Sequence, residues 1–264
     1  MQGGHKVLNT LKKDRKHSPL ISIITVVYNS EAYIEKTIQS IINQAYTHTE
    51  YIIIDGGSTD KTIEIIKKYN KYINYWKSEK DKGIYDAMNK AMKIATGDYL
   101  WFINSGDEIY SLSILNNIFR SGYRLVDVFY GETEIIDYKG QTLGKRRHEA
   151  PENLNWKSLK YGMKVCHQSV IIRKKIAEPF DLKYLYSADF DWLIKILKKS
   201  RSIVNTKLVL SKFMDGGRTK KTIIPGLKER FRIMVKYYGL ISTILNHFII
   251  AYKFLFFIVK NKRF

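Results

Sequence analysis

The chain predicts an α/β fold in which a parallel sheet, covered on both faces, passes into a mixed central sheet and ends in C-terminal helices. Three observations carry this. From Leu20 onward, short apolar runs alternate with amphipathic stretches of about 10–15 residues, the pattern of strands joined by crossover helices. The runs end in small or polar residues: Tyr28-Asn29-Ser30, Asp55-Gly56-Gly57-Ser58 and Asn104-Ser105-Gly106-Asp107. Beyond Asp107 the alternation loosens, which argues for mixed pairing in the second half.

The elements follow in order. Leu20–Val27 reads as a strand, and Glu31–Gln44 as a helix with Ile34, Ile38, Ile41 and Ile42 on one face. Tyr51–Ile54 is a strand, closed by the Asp55–Ser58 turn before a helix from Thr59 to about Asn70. Ile73–Lys77 is a third strand. An acidic loop (Glu79, Asp81) then turns at Gly83 into a helix that presents Asn89 and closes at Gly97. Tyr99–Ile103 is a fourth, fully apolar strand. The second half reads as a helix (Ser111–Ser121), a strand (Val126–Thr133), a hairpin about Lys139-Gly140, a strand (Val165–Arg173) and a helix (Asp189–Lys199).

A chain of 264 residues supports one large domain with an appended segment. Its net charge of +20 calls for an anionic partner, and nucleic acid, a membrane surface or a phosphorylated substrate all satisfy it. No nucleic-acid-binding signature accompanies the charge, so nucleic acid is not expected as a partner. Cys166 is the only cysteine, which excludes an intramolecular disulfide and a cysteine-based zinc site. Met1–Ser18 reads as a flexible basic arm without signal-peptide character, and the chain is expected to stay in a reducing cytoplasm.

The last forty or so residues differ in character. Lys228–Tyr238 is basic and amphipathic, and Leu240–Val259 carries only His247 and Lys253 as ionisable groups before Lys260-Asn261-Lys262-Arg263. A central lysine costs about 2.5–3.5 kcal/mol in a spanning helix, which favours an in-plane helix on an anionic membrane surface. The alternatives are a helix that closes the core and one that forms a homo-oligomer interface. The organisation expected is thus an arm (1–18), a main domain (19–219) and a membrane-surface segment (220–264).

The segment from Glu79 to Asp107 is the most informative. A buried strand that ends at Asp107 beside two small residues leaves room for a large anionic ligand where open α/β sheets hold ligand and metal. That points to an enzyme with a metal-bridged diphosphate. No Gly-x-Gly-x-x-Gly follows the first strand, which argues against a dehydrogenase. Taken singly, the Asp55 and Asp107 turns read equally well as helix caps.

In Ser22–Asn29, Ile54–Asp60, Glu79–Asp107, Cys166-His167-Gln168-Ser169, Ser187–Asp191 and Met214–Thr219, the chain resembles the GT-A fold glycosyltransferases of family 2. The likeness covers roughly Pro19 to Thr219 and is strongest to the branch that builds colanic acid, capsule and related bacterial surface polysaccharides. It implies a Rossmann-like nucleotide-binding half, a nucleotide-diphosphate sugar donor (UDP favoured), Mn²⁺ or Mg²⁺, and inverting transfer to a hydroxyl of a polyprenyl-diphosphate-linked or other glycan. The enzyme would work peripherally at the inner face of the cytoplasmic membrane.

Residue by residue, the resemblance implies Thr25, Val27 and Tyr28 near the nucleotide and Asp55 at its base or ribose. Asp81, Gly83 and Asn89 would shape the ribose and diphosphate side, with Asn104, Ser105 and Gly106 beside them. Asp107 would match the last carboxylate of the metal motif. Asp189 would be the general base, at a helix N-terminus that favours its ionised form, or it would only cap that helix and leave Asp191 as base. His167 is either a substrate or metal contact or a structural histidine. Arg218 is either a diphosphate clamp in a glycine-hinged loop or an exposed surface arginine. Lys145-Arg146-Arg147 reads as a solvated face or a phosphate-facing patch. Two departures mark this chain. Asn104-Ser105-Gly106-Asp107 stands where many members read Asp-x-Asp-Asp, and Gly56 stands where many carry a second acid. The surface-polysaccharide branch shares both. A degenerate, metal-free binding module is the alternative.

Overall fold

A computed structural model describes residues 1–5, 18–119, 126–146, 148–216 and 223–261, with the backbone alone for 253–261. The strands are β1 (Gln2–Gly3), β2 (Ile21–Val27), β3 (Thr49–Asp55), β4 (Tyr75–Ser78), β5 (Tyr99–Phe102), β6 (Glu108–Ile109), β7 (Val128–Ile136), β8 (Thr142–Lys145), β9 (Val170–Arg173) and β10 (Ile203–Met214). They form one sheet in the order β1-β4-β3-β2-β5-β9-β7-β10-β6, with β8 paired to β7. The run β4-β3-β2-β5 is parallel, and β9 pairs antiparallel with both β5 and β7. Five longer helices cover this half and the next: α1 (Ile34–Ile42), α2 (Thr62–Lys68), α3 (Ile84–Ile94), α4 (Ile114–Phe119) and α5 (Ala188–Lys199). Two more, α6 (Ile223–Tyr238) and α7 (Leu240–Asn261), follow β10.

Every residue of β2 is buried, as a central parallel strand with helices on both faces requires. Its alternating side chains feed two cores. Ile24 and Val26 pack with α3 and α5, and Ile21 and Ile23 with α1 and α4. The mixed sheet, the alternating first half and the C-terminal helices agree with the sequence-derived fold class.

Three expectations are corrected. Met1–His5 is no free arm: β1 pairs antiparallel with β4, Gln2 opposite Lys77 and Gly3 opposite Trp76. The rest of the expected arm, 6–17, lies outside the described residues. The strand expected over Val165–Arg173 begins only at Val170, because His167–Ser169 forms a 3₁₀ turn. The longest strand, β10, was not anticipated. Most of it is only half-buried, it carries Asn205-Thr206-Lys207, and its register against β7 shifts twice, so no period-2 or apolar signal survives.

Candidate active site

The carboxyl ends of β2, β3 and β5 meet through side-chain bonds between loops. Asn29, with φ at 45°, donates its backbone N–H to Ser58 Oγ, and its side-chain Oδ1 accepts from the Thr59 N–H. Ser30 Oγ lies 2.7 Å from Ser105 Oγ, joining the first loop to the end of β5. Asn and Ser at these places are what such contacts need: short side chains that reach neighbouring backbone without crossing it.

Several residues expected near a ligand prove to be built into this frame. Thr25 is fully buried, donating to the Ile103 carbonyl and accepting from Tyr51. Its hydroxyl is therefore spent inside the sheet. Asp55 is also fully buried; its carboxylate accepts from the Gly57 and Ser58 N–H groups and the Ser78 and Ser58 hydroxyls, which makes it the organiser of the turn. Val27 is buried, and Tyr28 is 63% exposed at the rim. Asp81 accepts from the Gly83 N–H, and Gly83 has φ at 114°, a left-handed turn into α3 that suits glycine. A Cβ at Gly56 would stand 2.6 Å from Asp81 Oδ2. Asp81 thus fills the space that a second acid at position 56 would need.

Asn89 does not face a cavity. Its amide brackets Phe180, donating to the carbonyl at 2.9 Å and accepting from the N–H at 2.8 Å. The clamp holds Phe180 in a stack with Tyr85 and Trp192. Asp191 is likewise removed from the site. It is completely buried on the far side of α5 and bound by Lys195 (2.7 Å), Lys236 (2.8 Å) and the Tyr237 hydroxyl (2.9 Å). The alternation of a helix explains this: residues two apart point in different directions, so Asp189 and Asp191 cannot share one cavity.

A cavity of about 330 Å³ opens between β5, the 3₁₀ turn, the start of α5 and α6. Asn104, Ser105, Asp107, His167, Asp189, Tyr85 and Arg230 line it. His167 Nδ1 lies 3.3 Å from Asp189 Oδ2, while Asp189 Oδ1 accepts from the Tyr85 hydroxyl (3.2 Å) and the Phe190 N–H (2.9 Å). On the other edge of the ring, Asn104 Nδ2 is 3.1 Å from His167 Nε2. The ring is thus held at both nitrogens, Nδ1 against the Asp189 carboxylate and Nε2 against the Asn104 amide. The Val165–Arg173 segment achieves this only because its first residues form a turn and not a strand; a strand would have set His167 and Gln168 on opposite faces.

The two acids of the cavity are held differently. Burial raises the Asp189 carboxyl, but the His167 hydrogen bond and charge, Arg230 and Tyr85 outweigh it and hold Asp189 below the usual carboxylate range. Asp107 is 5% exposed, and burial pushes it up to about 6 despite the hydrogen bond from Gln168. Gln168 Nε2 donates to one of its oxygens at 2.8 Å and the Met214 N–H to the other at 3.2 Å. Asp107 therefore ties the end of β10 to the turn that carries His167.

The donors suit a hard dication in one respect. Asn104 Oδ1 is shielded from solvent and has no hydrogen-bond partner among the described residues, and it lines the same cavity as the Asp107 carboxylate. One carboxylate and one amide oxygen match an ion that keeps waters and takes its other oxygens from a ligand. Among the described residues, no cluster of three or more His, Cys, Asp or Glu forms a self-sufficient metal cage.

Arg230 was missed by the sequence reading, because a basic residue in an amphipathic C-terminal stretch looks like solvated surface. α6 in fact packs on the main core through Ile233 and Met234. Nothing in the sequence around Gln168 marks its hydrogen bond to Asp107. Arg218 lies outside the described residues, as does Arg147. Ser105 lines the cavity, and Gly106 behind it has φ at 99° against Met214.

Comparison with known proteins accords with this architecture. The family model described as glycosyl transferase family 2 matches residues 22–178. A PGL/p-HBAD biosynthesis glycosyltransferase of Mycobacterium bovis is 25% identical over 216 residues, covering 78% of this chain and 81% of that protein. An uncharacterized glycosyltransferase of Rickettsia typhi is 27% identical over 232 residues, covering 82% and 71%. Among solved structures, Staphylococcus aureus TarS 1–349 in complex with UDP-GlcNAc superposes with a TM-score of 0.64 at 18% identity, covering 87% of this chain and 72% of that one. The Pyrobaculum calidifontis mannosyltransferase in complex with GDP-Man and Mn²⁺ gives 0.61 at 14% identity, covering 89% and 78%. These structures show the GT-A-like fold, and the relatives do not single out the colanic acid and capsule branch. With its family model matching more than half of its length, the chain belongs to glycosyl transferase family 2.

Proposed function

We propose that the chain is a metal-dependent, inverting glycosyltransferase that moves a sugar from a nucleotide-diphosphate donor to a hydroxyl of a glycan. The observation that carries this is the His167–Asp189 pair facing Asp107 across one cavity. Asp189, ionised and oriented by His167 and Tyr85, takes the proton of the acceptor hydroxyl. The acceptor oxygen bonds to the anomeric carbon from the face opposite the leaving group, and the bond from that carbon to the diphosphate oxygen breaks. The proton rests on the Asp189 carboxylate and the nucleotide diphosphate departs. Bound by Asp107 and Asn104, Mn²⁺ or Mg²⁺ would neutralise charge on the leaving diphosphate. His167, already engaged at both ring nitrogens, is better suited to positioning Asp189 than to ligating metal.

The acceptor we favour is a polyprenyl-diphosphate-linked or other lipid-linked glycan of bacterial surface polysaccharide assembly, within the broader set of colanic acid and capsule enzymes. A main domain with a membrane-binding tail fits this, as does a peripheral place on the inner face of the cytoplasmic membrane. Ile241, Ile244, Leu245, Phe248 and Tyr252 of α7 are all more than 40% exposed and form an apolar face beside a strongly basic chain. No helix among the described residues is long and apolar enough to cross a membrane.

A screen of nucleotide sugars with Mn²⁺ and Mg²⁺, scored by released nucleotide diphosphate, tests the reaction. We expect metal-stimulated release, with a UDP-sugar preferred, that Asp107→Ala abolishes. Nucleotide binding without any turnover or metal effect would instead identify a metal-free binding module. For the tail, Phe248→Glu should release the protein from anionic liposomes, and intact protein should bind less at high salt. Unchanged sedimentation of Phe248→Glu with liposomes would remove the membrane assignment and leave α7 to a homo-oligomer contact.

A further inference from the structure

Arg230 stands on α6 between two acid clamps. On one side Glu229 accepts from the backbone N–H groups of Leu185, Tyr186 and Ser187 at 2.8, 2.8 and 2.9 Å. On the other, Lys236 and Tyr237 bind Asp191 of α5. The helix is thereby fixed against the turn that leads into Asp189, and the Arg230 guanidinium is carried into the cavity wall. Glu229 and Lys236 on α6 are paired with protein groups, while no hydrogen bond or ion pair joins Arg230 to another described residue. Its Nε is sealed from solvent and unpartnered. A donor shielded from water without an acceptor is costly, and such groups are seldom left so unless a ligand completes them.

We infer that Arg230 is an anion-binding residue of this site and receives a phosphate group of the substrate. The planar guanidinium fork matches two phosphate oxygens, and a cation is needed to bring a phosphate into a cavity that already holds Asp107 and Asp189. The clamps on either side hold the backbone before the ligand arrives, so little ordering remains to be done on binding. The phosphate has two possible sources, the donor's diphosphate and a phosphate attached to the acceptor. The inference rests on the functional reading above.

Titration calorimetry of the full chain with UDP, GDP, uridine, guanosine and inorganic diphosphate, in Mg²⁺, tests it on wild type, Arg230→Met and Arg230→Lys. Loss of one charge-assisted contact should weaken diphosphate binding by about 10–100-fold in Arg230→Met, with partial recovery in Arg230→Lys. Nucleoside binding and the thermal midpoint should stay as in wild type. Weakened UDP or GDP binding assigns Arg230 to the donor; weakening confined to inorganic diphosphate assigns it to the acceptor's phosphate. Equal affinities in wild type and Arg230→Met for every diphosphate would overturn the inference alone. So would a parallel loss of nucleoside binding, which would mark the residue as structural. A wild type that binds no nucleotide diphosphate would overturn the functional reading and this inference together.

Discussion

At the carboxyl ends of β2 and β3, Thr25 and Asp55 are enclosed, and their side-chain oxygens are hydrogen-bonded within the chain. Beside the cavity, at the carboxyl end of β5 and on α6, two polar groups are left incomplete. Asn104 Oδ1 and Arg230 Nε lack partners among the described residues, while Asp107, pushed up to about 6, and Asp189, held down by its neighbours, have both carboxylate oxygens hydrogen-bonded. Asn104 resembles the first set in residue type and in place on the sheet. What separates them is saturation: a polar side chain whose bonds are all made inside the protein builds the frame, and one left with a bond to make is available to a ligand. On α5 the difference is one of direction: Asp189 faces the cavity, and Asp191 is turned away from it to Lys195, Lys236 and Tyr237.

The contrast can be broken most directly at Asp189. Asp189→Asn should lower turnover by about 10²–10⁴-fold, the usual worth of a general base, with donor affinity nearly unchanged in calorimetry. A parallel fall in donor affinity would make Asp189 a binding or framing residue. Asp191 should behave in the opposite way. Asp191→Ala leaves Lys195 and Lys236 without their buried partner and should cost about 3 kcal/mol in denaturant unfolding, while the folded fraction keeps its turnover. The smallest effect is a pH dependence at Asp107. Its folded value of about 6 lies above the ordinary 3.8, so the unfolded chain gives up this proton first. The stability it contributes is present below about pH 4 and lost as pH rises through about 6. Asp107→Asn should therefore gain about 2 kcal/mol on wild type between pH 4 and pH 7, read from paired unfolding curves. A difference that stays flat with pH would mean that the carboxyl is not held in its protonated form by burial.

Much of the first half was legible in the residues because its signals are local. The Ile34–Ile38–Ile41 stripe, the apolar β2 and β5, and the Gly83 turn each state their element within a few neighbours, and the observed boundaries differ from the expected ones by a few residues at helix and strand ends. β10 was not legible: its pairing with β7 is made at long range and its burial is patchy, so propensity says little. The position of His167 was misread for a related reason. The expected strand took in Val165–Ser169, whereas His167–Ser169 forms a turn that a long-range contact supports: the Trp101 indole donates to the Gln168 carbonyl.

By itself, then, the sequence determined the α/β order, the three polar strand ends and the motif set that contains Asp107, His167 and Asp189. These are written in periodicity and composition, which act between near neighbours along the chain. Only the tertiary structure decided which of the polar residues are complete and which are not. Asp55, Asn89 and Asp191 find their partners from neighbouring loops, Phe180 and α6, and Arg230 is brought to Asp189 from forty-one positions away. Saturation of a hydrogen bond depends on distance and burial in three dimensions, and no local feature of the chain encodes it.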